Sequence, residues 1–416
     1  MNILFIHQNM PGQYKHLAPA LARDPRHKLM FLTQRQDVLL PGVARATYKP
    51  PRAVKPETHP YLRLQESAVL HGQQVVRSLI DLRHKGFVPD LVIGHPGWGE
   101  LLFVRDVYPN VPILSYAEFY YHGEGADVGF DPEDHDQAQD LDTRCRARIR
   151  AGHLLQSLES CTRALSPTHW QKSVHPEAYH PKIEVIFDGI DTNLATPEGE
   201  ATLTLPDGTM VQRGDELVTY VARNLEPYRG FRTFMRAIPG ILDQRPNARI
   251  VIVGGDDVSY GSKPKGHANW REAMLAEVPF DRSRVHFMPR LAYPDFLRLM
   301  RATAVHVYLT YPFVLSWSCL EAMACGALVI GSDTAPVKEA IKDGENGLLT
   351  GFFDHEALAA KVMDVLADPT AYDPLRTAAR QTIRDRYALD RCLPQQIDLL
   401  NEMTSGRLLD TVGKAA

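Results

Sequence analysis

Short apolar runs rich in β-branched residues recur along the chain and alternate with longer stretches in which apolar residues return every three or four positions. The short runs are typical of buried parallel strands, and the longer stretches are typical of amphipathic helices. Strands are predicted in the first half at 2–7, 28–33, 89–95, 111–115, 164–168 and 182–191. They are predicted in the second half at 217–222, 248–253, 305–310 and 328–330. This alternation predicts an α/β fold with mostly parallel sheets covered by helices.

The helical periodicity and the turn-rich segments divide the chain into two domains. Helices are predicted at 14–22, 62–85, 170–174, 294–302, 320–324, 355–367 and 373–387. Residues 41–60 are rich in proline and basic side chains, so an exposed loop is predicted there. The polar stretch 192–214, with a hairpin turn at 206–208, separates the halves. The predicted domains are 1–195 and 196–392, and the tail 393–416 is apolar enough to pack back on the first domain.

Composition narrows the class of protein. The chain has 416 residues, of which 44% are hydrophobic and 23% charged, as in ordinary globular proteins, and its formal net charge of −4 gives no support to nucleic-acid binding. None of the five cysteines forms a Cys-x-x-Cys pair, so neither a zinc site nor a disulfide framework is indicated. No apolar run reaches the ~18 residues of a membrane span, and the N-terminus opens on a strand rather than a signal peptide. A cytoplasmic protein is expected.

The stretch 305–330 carries the clearest candidate chemistry. It is predicted as strand, turn, helix and strand, and Ser316 and Ser318 are good N-cap residues at the helix start. The free N–H groups of a first helical turn favour an anion. Glu321 follows one turn later, and a carboxylate beside an anion site suits a ligand that carries both phosphate and sugar hydroxyls. The alternative is that Glu321 is an ordinary glutamate favoured by the helix dipole.

The sequence of residues 320–333, Leu-Glu-Ala-Met-Ala-Cys-Gly-Ala-Leu-Val-Ile-Gly-Ser-Asp, resembles the donor-site signature of retaining GT-B glycosyltransferases of family four. The resemblance implies two Rossmann-like domains that face each other across a cleft. It also implies that Glu321 binds the ribose of a nucleotide sugar. The family usually has a second glutamate eight residues earlier, and in this chain that position is Phe313. The sugar end of the donor site therefore departs from the family pattern.

Further donor-site residues follow from the same resemblance. Arg223 and Arg229 match the two cations that grip the donor diphosphate, with arginine in place of the family's lysine at 229. Two fixed cations would stabilise the charge that develops on the leaving nucleoside diphosphate. The alternative is two exposed loop arginines. The remaining expected donor contacts are Gly12, Gly254, Gly255, Arg290, Leu291, Ser316, Trp317 and Ser318.

The first half offers candidates for the acceptor. His95 and Trp98 follow a predicted strand, and ligands of open α/β sheets lie at the carboxyl ends of strands. Family relatives carry a functional histidine after the strand 111–115, where this chain has Glu118. Glu118 is therefore the candidate catalytic carboxylate, with His122 second, and Tyr120 belongs to an aromatic cluster suited to stacking on sugar rings. Purely structural roles are the alternative for all of these residues.

An acidic stretch, 127–142, ends in Asp140-Leu141-Asp142, which is spelled like the metal motif of another glycosyltransferase class. It lies in a predicted helix, where positions i and i+2 point apart, so no metal site is expected.

Four arginines follow at alternate positions from 144 to 150. They are expected to be solvated, but they leave open a phosphate-bearing or membrane-anchored acceptor and a peripheral association with membranes.

These features predict a retaining, metal-independent, hexosyltransferase-type enzyme. It would move a sugar from a UDP- or GDP-sugar to a hydroxyl acceptor in bacterial glycan biosynthesis, without a further cofactor. Arg223, Arg229 and the helix start at 316–318 would take the place of a metal. Two alternatives stay open: a GT-B nucleotide-sugar epimerase, and a catalytically weak nucleotide-sugar-binding protein, suggested by Phe313.

Overall fold

The computed structural model describes residues 1–134 and 140–409, which divide into two compact units. Unit 1 comprises Met1–Gly189 together with the chain from Asp390 onward, and unit 2 comprises Ile190–Leu389. Each unit is built on a parallel sheet covered by helices, so the predicted Rossmann-like, doubly wound fold of both halves is confirmed.

The sheet of unit 1 has seven strands, and all of its pairings are parallel. The strands are β1 (Asn2–Ile6), β2 (Lys28–Thr33), β3 (Val43–Thr47), β4 (Leu91–Gly94), β5 (Ile113–Tyr116), β6 (Arg163–Ser166) and β7 (Ile183–Val185). Their spatial order is β3-β2-β1-β4-β5-β6-β7. The helices are α1 (Leu17–Ala22), α2 (Arg63–His84), α3 (Val104–Val107), α4 (Leu141–Arg150), α5 (Gly152–Ser160) and α6 (His169–Ser173).

Two sequence predictions for unit 1 are wrong in detail. The predicted loop at 41–60 contains β3, an edge strand whose burial is confined to Val43 and whose other residues are partly or fully exposed. Such a strand lacks the continuous apolar run that marks a buried one, which is why the sequence pattern hides it. The strand predicted at 182–191 is only Ile183–Val185.

The C-terminal helix, α14 (Leu389–Met403), packs in the core of unit 1. Leu399, Leu400 and the later Leu408 belong to one buried cluster with Ile3 and Phe5 of β1. Burial of these side chains fixes the described part of the predicted tail, which ends at residue 409, on the first unit. Residues 410–416 lie outside the described residues.

The main sheet of unit 2 has six parallel strands in the order β12-β11-β10-β13-β14-β15. They are β10 (Leu217–Asn224), β11 (Arg249–Gly255), β12 (Val285–Met288), β13 (Val305–Tyr308), β14 (Leu328–Ser332) and β15 (Leu348–Thr350). A separate antiparallel hairpin, β8 (Thr202–Thr204) with β9 (Met210–Gln212), flanks the predicted turn at 206–208. The helices are α7 (Phe231–Gln244), α8 (Trp270–Glu277), α9 (Tyr293–Ala302), α10 (Trp317–Ala324), α11 (Ala335–Lys338), α12 (His355–Ala367) and α13 (Asp373–Arg386).

In both sheets, the order in which successive strands are added reverses beside the first strand. In unit 1 it runs outward from β1 through β2 to β3 and then returns to place β4 on the other side of β1. In unit 2 it runs from β10 to β12 and then places β13 on the other side of β10. Ligands of open parallel sheets bind at such reversal points, outside the carboxyl ends of the strands.

Among the helices within residues 1–134 and 140–409, none is both long enough and apolar enough to cross a membrane.

Gly230 lies between β10 and α7 in the left-handed backbone conformation, which is energetically unfavourable for residues with a side chain. Its φ is 70°, and an added Cβ would collide with Cβ of Leu309, just beyond β13. Gly208, in the β8–β9 turn, has a φ of 86° but no atom within 4 Å of an added Cβ. We expect Gly230→Ala to reduce the free energy of unfolding by about 2 to 4 kcal/mol and Gly208→Ala by about 1 kcal/mol.

Urea unfolding of both variants tests this difference. Equal losses of stability would show that backbone strain alone matters at Gly230 and that the approach to Leu309 adds nothing.

Candidate active site

In unit 2, most of the predicted donor residues follow the ends of adjacent parallel strands. Arg223 lies at the end of β10, Gly254 and Gly255 end β11, Arg290 follows β12, and the segment 309–318 follows β13. Because β10 and β13 flank the reversal point, these residues belong to the edge of the sheet where ligands bind.

The two candidate diphosphate cations have different surroundings. Arg229 is half-buried, and its Nη1 donates hydrogen bonds to the Tyr308 hydroxyl (3.3 Å), Thr310 Oγ1 (2.9 Å) and the Val314 carbonyl (3.0 Å). These acceptors are neutral. The Arg223 side chain is exposed. Among the described residues, neither Arg223 nor Arg229 forms an ion pair with a carboxylate. The nearby Glu226 is bonded instead to the backbone N–H groups of residues 259–261. Two arginines without an ion-paired carboxylate favour an anionic ligand.

The first turn of α7 adds to this positive region. The helix begins directly after Arg229 and Gly230, its first turn has no acidic residue, and its N-cap makes no side-chain hydrogen bond to it. Uncapped N–H groups at a helix start attract anions. Phosphate oxygens at this point would therefore meet the helix N-terminus beside Arg229.

The start of α10 is capped by only one of the two predicted serines. The Ser316 hydroxyl accepts a hydrogen bond from the Ser318 N–H (3.3 Å), and the Ser316 N–H donates to the Tyr308 hydroxyl (2.7 Å). Ser318 is the second helical residue, so the prediction that it also caps the helix is wrong. Trp317, the first helical residue, is half-buried.

Glu321 is buried in the first part of α10, with 7% of its surface exposed. Burial, the charge of Glu321 and a hydrogen bond to Glu321 all raise the pKa of Tyr293, the first residue of α9. The carboxylate therefore has a hydroxyl donor already placed against it, a partner that the sequence did not indicate. A ribose hydroxyl would offer the same kind of donor.

Phe313, where the family resemblance expects a carboxylate, is buried in an aromatic cluster. Its ring centroid lies 5.6 Å from that of Tyr228 and 4.8 Å from that of Tyr260. Only 3% of its surface is exposed. This side chain provides apolar contact and no hydrogen bond to a sugar.

The two glycines at the end of β11 are required by packing against the β10 loop. A Cβ on Gly254 would lie 2.7 Å from Leu225 Cδ2, and one on Gly255 would lie 2.5 Å from Asn224 Oδ1. Arg290 donates to the Arg223 carbonyl (3.1 Å) and to Asn224 Oδ1 (2.9 Å), and Leu291 beside it is half-buried. Arg290 thus fixes the backbone that carries Arg223.

In unit 1, four polar side chains form one hydrogen-bonded chain beside the β1–β4 reversal point. His7 follows β1, and its Nε2 lies 2.9 Å from Gln13 Oε1. Gln13 Nε2 donates to Glu118 Oε1 (3.0 Å), and His95 Nε2, after β4, lies 3.3 Å from Glu118 Oε2. Glu118 follows β5, so the structure brings together the predicted Glu118 and His95.

The tautomers of both histidines follow from their second ring nitrogens. Nδ1 of His7 accepts from the Asn9 N–H (2.9 Å), and Nδ1 of His95 accepts from the Gly97 N–H (3.0 Å). Each neutral ring therefore carries its proton on Nε2. His95 donates that proton to Glu118 and His7 donates its own to the Gln13 oxygen.

This network keeps Glu118 ionised. Burial raises the pKa of Glu118, but the hydrogen bonds from His95 and Gln13 act in the opposite direction, and the net pKa is lowered. Burial and the charge of His95 lower the pKa of His7 to about 3, so His7 is neutral near pH 7. A carboxylate with a lowered pKa is a weak base but a good acceptor for a substrate hydroxyl.

Gly12 and Trp98 complete the surroundings of this network. An added Cβ on Gly12, whose φ is 52°, would collide with the His7 ring. The Trp98 ring lies 5.1 Å from the His95 ring, and its backbone N–H donates to the buried Glu100 (3.2 Å). Burial raises the pKa of Glu100 to about 7. Gly12 is thus needed for close contact with His7 rather than only for a turn.

The other two acceptor candidates lie further along the same loop. His122 Nε2 hydrogen-bonds to the Val174 carbonyl, which gives this histidine a structural partner. The Tyr120 ring lies 5.3 Å from that of His122 and 5.9 Å from that of His175. Among the described residues, these side chains make no recorded hydrogen bond to Glu118 and its partners.

The two aspartates of the Asp140-Leu141-Asp142 triplet hydrogen-bond to neighbouring residues of the protein. Asp140 is the N-cap of α4 and accepts from the Thr143 N–H (2.7 Å), whereas Asp142 pairs with Arg146 and accepts from the Tyr61 hydroxyl. Residues 135–139 of the acidic stretch lie outside the described residues. In the part of the chain that the structure describes, no group of three His, Cys, Asp or Glu side chains is arranged to hold a metal ion.

The sequence did not indicate His7, Gln13 or Tyr293 as part of either site. His7 could have been found, because it follows the first strand of a doubly wound sheet. Gln13 and Tyr293 act through partners distant in sequence, such as Glu118 for Gln13, and no local pattern signals those contacts.

Two family models match this chain, one in each half. Residues 25–195 match the model described as "Glycosyl transferase family 4 group", and residues 209–383 match "Glycosyl transferases group 1". The fold and the two matches together support a GT-B glycosyltransferase of the family-4 type.

Among curated relatives, the chain is similar to D-inositol 3-phosphate glycosyltransferases. With the protein of Streptomyces avermitilis it shares 27% identity over 217 residues, which are 50% of this chain and 44% of that protein. With the protein of Rhodococcus erythropolis it shares 27% identity over 207 residues, or 48% of this chain and 43% of that protein. The match thus spans less than half the length of these relatives.

Solved structures share the fold over nearly the whole chain. Sucrose-phosphate synthase from Thermosynechococcus elongatus aligns with a TM-score of 0.70 and 20% identity, covering 97% of this chain and 99% of that one. Anabaena HepE in complex with UDP-glucose aligns with a TM-score of 0.67 and 15% identity, covering 97% and 100%.

The neutral, buried state of His7 makes stability depend on pH. Its folded pKa of about 3 lies below the unfolded value of about 6.5, so the unfolded chain binds an extra proton between these pH values and stability falls as pH drops through that window. We expect His7→Asn to make this fall shallower by up to about 1.4 kcal/mol per pH unit.

Urea unfolding at several pH values between 7 and 4.5 measures the slope. The exposed-residue control His267→Asn should keep the wild-type slope. Identical slopes for wild type and His7→Asn would contradict the neutral burial of His7.

Proposed function

We propose that the chain transfers a hexose from a nucleoside diphosphate sugar to a hydroxyl acceptor with retention of anomeric configuration. Unit 2 would bind the donor and unit 1 the acceptor. One observation carries the proposal: Arg229, which has no ion-paired carboxylate among the described residues, directly precedes Gly230 and the uncapped start of α7, and Arg223 lies at the end of β10, the strand that leads into this loop. This arrangement suits a diphosphate.

Each part of the donor would have a partner in unit 2. The diphosphate would contact Arg223, Arg229 and the first turn of α7, and the ribose would hydrogen-bond to Glu321 in exchange for Tyr293. The fixed positive charges would stabilise the leaving diphosphate without reorganisation. We include metal independence and the absence of a further cofactor in the proposal, because these groups supply the charge stabilisation that a metal ion gives in other enzymes.

In unit 1, Glu118 would accept a hydrogen bond from the acceptor hydroxyl and orient it. Its lowered pKa makes it a poor proton acceptor, so the departing phosphate would take the hydroxyl proton. His95 and Gln13 would hold the carboxylate in place, as their hydrogen bonds do in the structure.

The nature of donor and acceptor is proposed from chemistry and from similar proteins. HepE has been solved with UDP-glucose, which supports a UDP-sugar donor, with a GDP-sugar as the alternative. The acceptor would be a saccharide, a lipid-linked or a small hydroxyl compound in bacterial glycan or glycoconjugate synthesis. We propose a cytoplasmic location, which agrees with five free cysteines, four of them buried.

A catalytically weak nucleotide-sugar-binding protein is the second candidate, and Phe313 favours it. Position 313 carries an aromatic ring, packed against Tyr228 and Tyr260, in place of the sugar-binding carboxylate that the family resemblance expects. Release of nucleoside diphosphate at a constant rate over many turnovers would favour the enzyme, whereas binding without release would favour this alternative.

Removal of the charged donor contacts should abolish most turnover. We expect Arg223→Ala and Glu321→Ala each to lower kcat/KM for the nucleotide sugar about tenfold to hundredfold, because each loses a hydrogen bond to or from a charged group. Nucleoside diphosphate release measures turnover, and circular dichroism checks that both variants are folded.

The matched control is Arg384→Ala, which removes an equal charge from the exposed face of α13. Activity at the control's level in both site variants would refute the assignment of the donor site.

A further inference from the structure

A segment of unit 2 that no part of the proposed function uses lies against the candidate donor site. This segment, residues 256–269, connects β11 to α8 and is called the β11–α8 segment below. Its aromatic residue Tyr260 is half-exposed. The Tyr260 ring centroid lies 4.8 Å from that of Phe313 and 5.6 Å from Cζ of Arg229.

One buried carboxylate holds this segment in place. Glu226, in the same loop as Arg229, is 1% exposed, and its Oε2 accepts hydrogen bonds from three consecutive backbone N–H groups. These belong to Ser259 (3.1 Å), Tyr260 (3.1 Å) and Gly261 (3.5 Å). Three N–H groups that converge on one carboxylate oxygen fix the backbone at Tyr260.

Two further hydrogen bonds lie on either side of the three bonds to Glu226. Asn224 Nδ2 donates to Ser259 Oγ (2.7 Å), and Trp270 Nε1 donates to the Ser262 carbonyl (2.9 Å). Because Asn224 also accepts from Arg290 (2.9 Å), the segment is tied to the loop that carries Arg223. Tyr260 is therefore positioned rather than merely exposed on a loop.

The position of Tyr260 bears on the sugar of the donor. Phe313 occupies the position where the family resemblance expects a sugar-binding carboxylate. The Tyr260 ring meets the Phe313 ring edge to face and also contacts Arg229, a candidate diphosphate ligand. A sugar attached to the diphosphate begins next to the phosphate, so its ring would lie beside these aromatic side chains. Sugar rings present apolar C–H faces that pack on aromatic rings.

We propose that Tyr260 is a specificity-determining residue that packs against the transferred sugar, and that Glu226 is its positioning residue. This inference rests on the proposed function. Phe313, which is 3% exposed, would support the Tyr260 ring from behind. The Tyr260 ring would replace hydrogen bonding by apolar contact, and the site would recognise the sugar by the shape of its ring face.

The test compares affinity for a nucleotide with affinity for the corresponding nucleotide sugar. Isothermal titration with UDP and UDP-glucose, or with GDP and GDP-mannose if the wild type prefers guanine, gives both dissociation constants. Tyr260→Ala should weaken binding of the nucleotide sugar about threefold to tenfold and change binding of the nucleotide less than about twofold. Tyr260→Phe should behave as wild type, because the ring is kept.

Glu226 and a control complete the set. Glu226→Ala should reproduce the Tyr260→Ala pattern, and Glu226→Gln, which keeps one acceptor oxygen for the N–H groups, should lose less. His267→Ala, an exposed residue of the same segment, should leave both constants unchanged. Circular dichroism checks that every variant is folded.

The outcomes separate this inference from the proposed function. Equal losses of nucleotide and nucleotide-sugar affinity in Tyr260→Ala would overturn it, because Tyr260 would then only support Arg229. No change in either constant would also overturn it. If the wild type binds none of the four probes, the proposed function itself fails.

Discussion

The reversal of strand order in each sheet is the constraint on which both candidate sites depend. Parallel strands end at one edge, and at the reversal point the loops of two adjacent strands leave in opposite directions, so space opens between them. His7 and His95 follow the strands on either side of this point in unit 1. Arg223 and Phe313 follow the corresponding strands in unit 2. Without this topology, residues separated by about ninety positions in sequence would not lie at one edge.

The side chains at the two reversal points carry charges of opposite sign. Unit 2 presents arginines that have no carboxylate partner among the described residues, beside a helix start without a cap. Unit 1 presents a carboxylate, Glu118, whose hydrogen-bond donors are the side chains of His95 and Gln13. Arginines without an ion-paired carboxylate favour an anionic ligand, and an ionised carboxylate held by hydrogen-bond donors favours a hydroxyl. A diphosphate sugar and an alcohol are ligands of these two kinds.

The sequence was sufficient for the fold and for residues that belong to local motifs. Apolar runs marked the buried strands, and the motif around Glu321 indicated the donor domain because its residues are contiguous. The edge strand β3 was missed because its side chains are mostly exposed. Glu226 and Gln13 were missed because their roles arise from partners such as Tyr260 and Glu118, which are brought to them only by folding.

Thermal unfolding with UDP, GDP, ADP and TDP tests the central claim, that unit 2 binds a nucleoside diphosphate through Arg223. A ligand that binds only the folded state stabilises it by about 2.7 kcal/mol at a hundredfold excess over its dissociation constant. The account predicts a clear rise in Tm with one of the four nucleotides, lost in Arg223→Ala and kept in Arg384→Ala. No rise with any nucleotide, or an equal rise in both variants, would contradict it.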